Sequence, residues 1–212
     1  MAYKSRVSDA VVRRLPMYYR HLRELEKAGV VRISSQELGE RMNLTASQIR
    51  QDINCFGGFG RQGYGYTVTE LKEHIGKILG LDRQHRMIVV GAGNMGCAVA
   101  QYRSFTREGF EVEAMFDVDP AKVGSRLGNI PIFPMDDLEN YLQDHRIDVA
   151  VLTLPVAMAQ KTLDRVAACG VKAVWNFAPT DLQHPAEMIV VNVHLSDSLQ
   201  ILSYKMAHME DA

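Results

Sequence analysis

The six residues Gly91-Ala92-Gly93-Asn94-Met95-Gly96 have the spacing G-x-G-x-x-G, which lets a backbone turn cradle a pyrophosphate. The first glycine permits a tight turn, the second lets the chain approach the phosphates with no Cβ in the way, and the third allows a helix to pack closely on a strand. The helix that follows points its N-terminal N–H groups at the anion. Asp117 lies 21 residues beyond the last glycine, where a carboxylate accepts hydrogen bonds from ribose hydroxyls and repels a 2'-phosphate. Together they predict NAD(H) in preference to NADP(H). The competing reading is a glycine turn that only packs helix on strand, with Asp117 capping a strand end.

Dinucleotide binding does not imply hydride transfer, which needs a general acid or base beside the nicotinamide and room for a substrate. His184 and His194 are the candidate acids, but no nucleophile, base and orienting group assemble around either. Cys55, Cys97 and Cys169 are odd in number and far apart, so they offer neither a disulfide framework nor metal-ligand spacing. The expectation is a reducing cytosol, no metal and no catalysis, with Cys55 a small buried residue at the apolar end of its helix.

A second set of polar side chains has the spacing of a nucleic-acid reading face. Where Ala46, Ile49, Ile53 and Phe56 share one side of a helix, Ser47, Gln48, Arg50, Gln51 and Asn54 are left for a groove. Arginine suits guanine, glutamine and asparagine suit adenine, and serine reaches phosphate. Arg61 adds a charge in the glycine-rich stretch behind that helix. No Gly-Lys-Ser/Thr follows those glycines, so they are not a nucleotide phosphate loop. The competing readings are that Gln48 closes a capping box, that Arg50 is an ordinary solvated charge, and that the glycine stretch is a loop without partners.

These side chains need elements to hold them. Ser8 to Lys27 shows helical spacing of apolar residues, with Pro16 marking a kink or break between two segments. Ser34 with Glu37, then Thr45 with Gln48, repeat the capping-box pattern one short helix apart, with Met42-Asn43-Leu44 as the turn. Glycines 57, 58, 60, 63 and 65, followed by alternating Tyr64, Tyr66 and Val68, read as a tight β-hairpin, the wing of a winged helix-turn-helix. Thr69 then caps an amphipathic helix that Gly80 stops. From Met87, strands at 87–90, 112–116, 149–154, 173–175 and 189–191 alternate with helices at 95–108, 136–144 and 157–168. This is the texture of βαβ units and a parallel α/β sheet covered on both faces. A last helix, 195–206, carries Leu199, Leu202 and Met206 on one face.

The chain has 212 residues, 47% hydrophobic and 23% charged, enough for one large or two small domains and unlike disordered, collagenous or disulfide-stapled chains. Its net charge of -1 hides a split: positions 1–80 hold 13 Lys+Arg against 8 Asp+Glu, a net of +5, and the remainder sums to -6. The basic part suits a polyanion. Lys4, Arg6, Asp9, Arg13 and Arg14 leave no signal-peptide core, and the run from Met87 to Ala100 is too short to span a bilayer, so a soluble cytoplasmic protein is expected.

Taken together, the two halves resemble the Rex family of bacterial redox-sensing transcriptional repressors. The resemblance runs through Leu15-Pro16-x-Tyr18-Tyr19-Arg20, Ile33-Ser34-Ser35-x-x-Leu38, Gln48-Ile49-Arg50-x-Asp52 and Phe56-Gly57-x-Phe59-Gly60. It continues through Gly91-x-Gly93-Asn94-x-Gly96, Phe116-Asp117-x-Asp119-Pro120 and Asn176-Phe177-Ala178-Pro179. It implies a winged-helix domain over residues 1–80, a Rossmann domain over 86–192, and a C-terminal helix over 193–212 exchanged within a homodimer. It further implies repression at palindromic operators when NADH is low, and release when NADH binds. Gly91 to Gly96 and Asp117 would hold the coenzyme; Tyr102, counted with that set, matches a family tyrosine at the dimer interface. Gln51, Gln62 and His194 depart from the family pattern. The first two thin the basic surface. A histidine in place of an acceptor-only carboxylate implies weakened or pH-dependent coupling between coenzyme and DNA. The alternative of another class is a small Rossmann-fold enzyme, a nicotinamide oxidoreductase or a CoA-binding ligase subunit.

Overall fold

The computed structural model describes residues 7–57 and 65–209. The chain divides into two compact units, one ending at Arg83 and the other beginning at Gln84.

The first unit runs α1 (Asp9–Lys27), β1 (Arg32–Ile33), α2 (Ser35–Met42), α3 (Ala46–Asn54), β2 (Tyr66–Thr67) and α4 (Val68–Ile78). Its helices turn Leu15, Tyr18, Leu22, Leu38, Ile49 and Leu71 into one core. Pro16 does not break α1, contrary to expectation. A mid-helix proline costs about 3 kcal/mol, but Val11, Leu15, Tyr18, Leu22 and Leu25 form one buried stripe across it, each contributing about 1.5–3 kcal/mol of burial. Tertiary packing wins. Most of the glycine-rich hairpin expected after Phe56 lies outside the described residues; its described end, β2, pairs antiparallel with β1, Ile33 opposite Tyr66 and Arg32 opposite Thr67. Val68 is helical rather than extended, and Thr67, not Thr69, precedes α4, without a side-chain cap bond. Arg61 and Gln62 of the wing lie outside the described residues.

The second unit contains β3 (His85–Val90), α5 (Asn94–Ala100), α6 (Ser104–Arg107), β4 (Phe110–Asp117), β5 (Arg126–Leu127) and β6 (Ile130–Pro134). It continues with α7 (Leu138–Asp144), β7 (Val149–Leu152), α8 (Val156–Ala168), β8 (Ala173–Asn176), β9 (Ile189–Asn192) and α9 (Leu195–Ala207). The sheet order is β5-β6-β4-β3-β7-β8-β9, parallel except for β5. Among the parallel strands this is the doubly wound order 3-2-1-4-5-6, which opens a crevice at the C-terminal ends of β3 and β7. One sheet face packs Ile88, Val90 and Ala150 against Leu138 and Leu163, and the other packs Met87, Val89 and Met115 against Val99.

Two expectations are revised here. The helix expected over 95–108 is two, divided at Gln101–Arg103. β7 stops at Leu152 because Pro155, at the N-cap of α8, ends the ladder. The β5-β6 edge was not foreseen, because Pro131 and Pro134 argue against a strand anywhere but at an edge. No residue of α9 is buried. Among the described residues, no helix is long and apolar enough to cross a membrane, and no group of three or more His, Cys, Asp or Glu could hold a metal ion.

Candidate dinucleotide turn and nucleic-acid interface

The glycine turn leaves the end of β3 at the point where strand order reverses. The Gly91 N–H donates to Phe116 O at 2.8 Å, and its φ of 102° is open to glycine and hostile to other residues. A Cβ on Gly91 would lie 2.6 Å from Thr153 O, and one on Gly96 only 1.9 Å from Gly91 O. The protein's own packing therefore demands both glycines. Gly93 differs: its backbone is ordinary, φ -78°, it is exposed, and a Cβ there would meet nothing within 4 Å. Nothing in the fold requires glycine at that position. Asn94 and Met95 are exposed beside it, and Ala92 is buried beneath.

Asp117, 9% exposed, first braces this turn. Its Oδ2 accepts from the Ala92 N–H at 2.6 Å and its Oδ1 from the Asp119 N–H at 2.8 Å. Each oxygen keeps lone-pair capacity for a ribose hydroxyl. Lys122 Nζ stands 3.6 Å from Asp117 and 3.3 Å from Asp119. The Ala121 N–H, then Lys122, hold Asp119 below the usual carboxylate range, and the acidic pair raises Lys122. Thr153, at the end of β7, turns its hydroxyl to the carbonyls of Gly91 (2.8 Å) and Val90 (3.2 Å), stitching the two strand ends together. Neither Thr153 nor Lys122 was singled out from sequence, because only the strand order brings them to the turn.

Tyr102 is not brought to the glycines. It stands past the far end of α5, 57% exposed, with its ring against Phe105 at 4.7 Å. Each of the two histidines has its own local partner. His184 Nδ1 faces Pro185 O, while His194 is the N-cap residue of α9 with Nε2 3.5 Å from Asp181 Oδ1. Nearby, Asn176 is wholly buried. It accepts from the Ala178 N–H and donates toward Ala178 O, Thr180 O and Asn192 Oδ1, which fixes the loop after β8.

In the first unit the Ser34–Glu37 capping box closes both ways, at 3.1 Å and 2.8 Å, and Asn43 makes the turn at φ 54°. Thr45 caps α3 by accepting from the Gln48 N–H at 3.1 Å. The Gln48 side chain does not complete that box. It turns instead to Asp52 Oδ1, at 2.7 Å. Ser47, Arg50, Gln51 and Asn54 are exposed together on the outer side of α3, with Gln48 half-buried at its margin. Arg50 Nη1 donates to Ser35 Oγ at 3.1 Å, tying α3 to the start of α2. Cys55 is exposed, contrary to expectation, because α3 ends just before it and its thiol donates back to Gln51 O.

Asp52 is the residue that pattern reading undervalued. It is 1% exposed and accepts from Arg14 Nε (2.6 Å) and Nη2 (2.8 Å), Tyr18 OH (2.9 Å) and Gln48. Burial pushes its carboxyl up, but the hydrogen bonds from Arg14, Gln48 and Tyr18 together outweigh burial and hold it below the ordinary range. Burial, then Asp52, raise the Tyr18 hydroxyl. The signal was an acidic residue on the helix's apolar side, between Ile49 and Ile53.

Comparison with known proteins agrees with this division. A family model described as "Putative DNA-binding protein N-terminus" matches residues 6–54, and one described as "CoA binding domain" matches 82–180. The "Redox-sensing transcriptional repressor Rex" of Thermoanaerobacter pseudethanolicus is 49% identical over 210 residues, 99% of this chain and 94% of that protein. The protein of the same name from Clostridioides difficile is 50% identical over 200 residues, 94% of this chain and 95% of its own. The crystal structure of RSP in complex with beta-NAD+ and operator DNA superposes with a TM-score of 0.92 at 49% identity, covering 98% of this chain and 95% of that one. RSP in complex with beta-NADH gives 0.91 at 46% identity, covering 98% and 97%. With near-complete coverage at such identity, and with the doubly wound order and the capped helix pair in place, this chain belongs to the Rex family of redox-sensing transcriptional repressors.

Proposed function

We propose that the chain represses transcription in response to the NADH/NAD+ ratio, holding operator DNA through α3 when NADH is scarce and leaving it when NADH occupies the glycine turn. The observation that carries this reading is Gly93, a glycine that packing does not need at the mouth of the crevice. The backbone of Gly91 to Gly96, including Ala92, Asn94 and Met95, would hold the pyrophosphate, and Asp117 the adenine-side ribose. The carboxylate of Asp117 disfavours a 2'-phosphate, although Lys122 partly offsets its charge. The coenzyme serves as a ligand, and the chain performs no catalysis. Only a difference in NADH affinity between DNA-competent and DNA-incompetent arrangements can shift the equilibrium.

On the DNA side, Arg50, Gln51 and Asn54 would face base edges, Ser47 and Arg61 phosphates, and Gln48 the margin of the groove. The protein is a homodimer whose two α3 helices read a palindromic site. α9 supports this: Leu195, Leu199, Ile201, Leu202, Tyr204 and Met206 are each more than half exposed, on more than one side of the helix. An open apolar groove lined by Met87, Phe105, Phe110, Val149, Trp175 and Val191 lies in the same unit. Apolar surfaces of this kind are covered by a partner, and α9 exchanged with a second copy is that cover. A protein that meets genomic DNA and the coenzyme pool works in the cytoplasm.

Fluorescence anisotropy of a labelled palindromic operator, titrated in parallel with NADH, NAD+ and CoA, tests the reading. Release by NADH well below the concentration at which NAD+ acts is expected. Specific DNA binding indifferent to millimolar NADH would leave a repressor and remove the redox sensor. Release by CoA alone, or NADH oxidation with a small carbonyl substrate, would favour the enzyme alternative.

A further inference from the structure

Asp52 accepts four hydrogen bonds, two from Arg14 and one each from Tyr18 and Gln48. A carboxylate has about four lone-pair sites, so this one is saturated. Held below the ordinary carboxylate range, it is ionised at neutral pH and can only accept. Gln48 therefore has one available orientation. Its NH2 must face the carboxylate, because the flipped amide would set oxygen against oxygen beside a buried charge. Its Oε1 accepts no hydrogen bond among the described residues, and it is not buried. Gln48 also lies next to Ser47 and one helical turn before Gln51, both exposed.

We infer that Asp52 sets the hydrogen-bond polarity of Gln48, so that α3 offers DNA an acceptor at this position in place of a donor–acceptor pair. The inference rests on the reading of α3 as the DNA-facing helix. A free glutamine reads adenine with two bonds, to N6 and N7. With Nε2 committed to Asp52, only the bond accepted by Oε1 remains. In the major groove the amino groups of adenine and cytosine donate, whereas O6 of guanine and O4 of thymine accept and would oppose Oε1. Gln48 thus selects an amino-bearing base at one position of each half-site. Asp52 touches no base and is a positioning residue.

The full-length protein, used to select its site from a random duplex pool, supplies the operator. Binding is then measured to duplexes carrying each of the four bases at every half-site position, for wild type, Gln48→Met, Asp52→Asn and Arg50→Ala. Wild type should prefer adenine or cytosine at one position by about tenfold, the worth of one such bond. Gln48→Met, at a half-buried site and similar in length, should flatten that position alone. Asp52→Asn frees the amide to turn either way, so discrimination against guanine and thymine should fall there while other positions keep theirs. If Asp52→Asn does not fold, as circular dichroism would show, Gln48→Met still decides. A wild-type preference for guanine or thymine at the position that Gln48→Met flattens overturns the inference. So does a Gln48→Met profile identical to wild type while Arg50→Ala changes one. If neither substitution alters any preference, the reading of α3 falls with it.

Discussion

Gly91, Gly93 and Gly96 share one motif but answer to different forces, and substitution separates them. In Gly96→Ala the new methyl meets Gly91 O, a backbone atom that cannot move aside. Overpacking of this kind costs about 1–3 kcal/mol or more, so the melting temperature of the second unit should fall by several degrees. Gly93→Ala meets nothing and should unfold within about 0.5 kcal/mol of wild type, yet bind NADH at least tenfold more weakly, because the methyl occupies the phosphate's approach. Calorimetric titration alongside thermal unfolding checks both; wild-type NADH affinity in Gly93→Ala would remove the turn from the binding site. The motif was legible in sequence because its requirements are local. The bracing roles of Asp117, Thr153 and Lys122 were legible only in part, since Thr153 reaches Gly91 from a strand that sequence cannot place as a neighbour.

At the level of elements, caps set the boundaries that sequence reading located well. Ser34 and Glu37 satisfy backbone donors within three residues of themselves, so no distant partner is needed to recognise the start of α2. Ser34→Ala should destabilise the first unit by about 1 kcal/mol, read as a lower urea midpoint at unchanged slope. An unchanged midpoint would mean that solvent satisfies the Glu37 N–H equally well. Where distant partners decide, local reading failed. Pro16 is carried inside α1 by its buried stripe, and Tyr66 and Thr67 pair with β1, far back along the chain. In both cases contacts many residues away outweighed a propensity worth a few kcal/mol at most.

For the whole molecule, the split of +5 and -6 separates a part suited to phosphate from a part that, on the proposed reading, would hold an anionic coenzyme in a local turn, where helix-end N–H groups act at close range. The proposed dimer would join two reading helices, with α9 as its means. Leu199→Glu with Leu202→Glu places charge on an exposed apolar stripe, so the unit's own fold should persist. Sedimentation velocity should show a shift from dimer to monomer, and operator affinity should fall at least a hundredfold with the loss of the second half-site. A double variant that still sediments as a dimer would take α9 out of the interface.

By itself the sequence determined the two modules, the glycine turn and the polar face of α3, because each follows from spacing within a few residues or from composition summed over a domain. Only the tertiary structure decided which glycines serve packing and which leaves room for a ligand. It also decided that Asp117 braces the turn, and that Gln48 faces inward to a buried carboxylate. The physical reason is that propensity, capping and periodicity act along the chain, whereas hydrogen-bond saturation and close approach depend on atoms brought together across it.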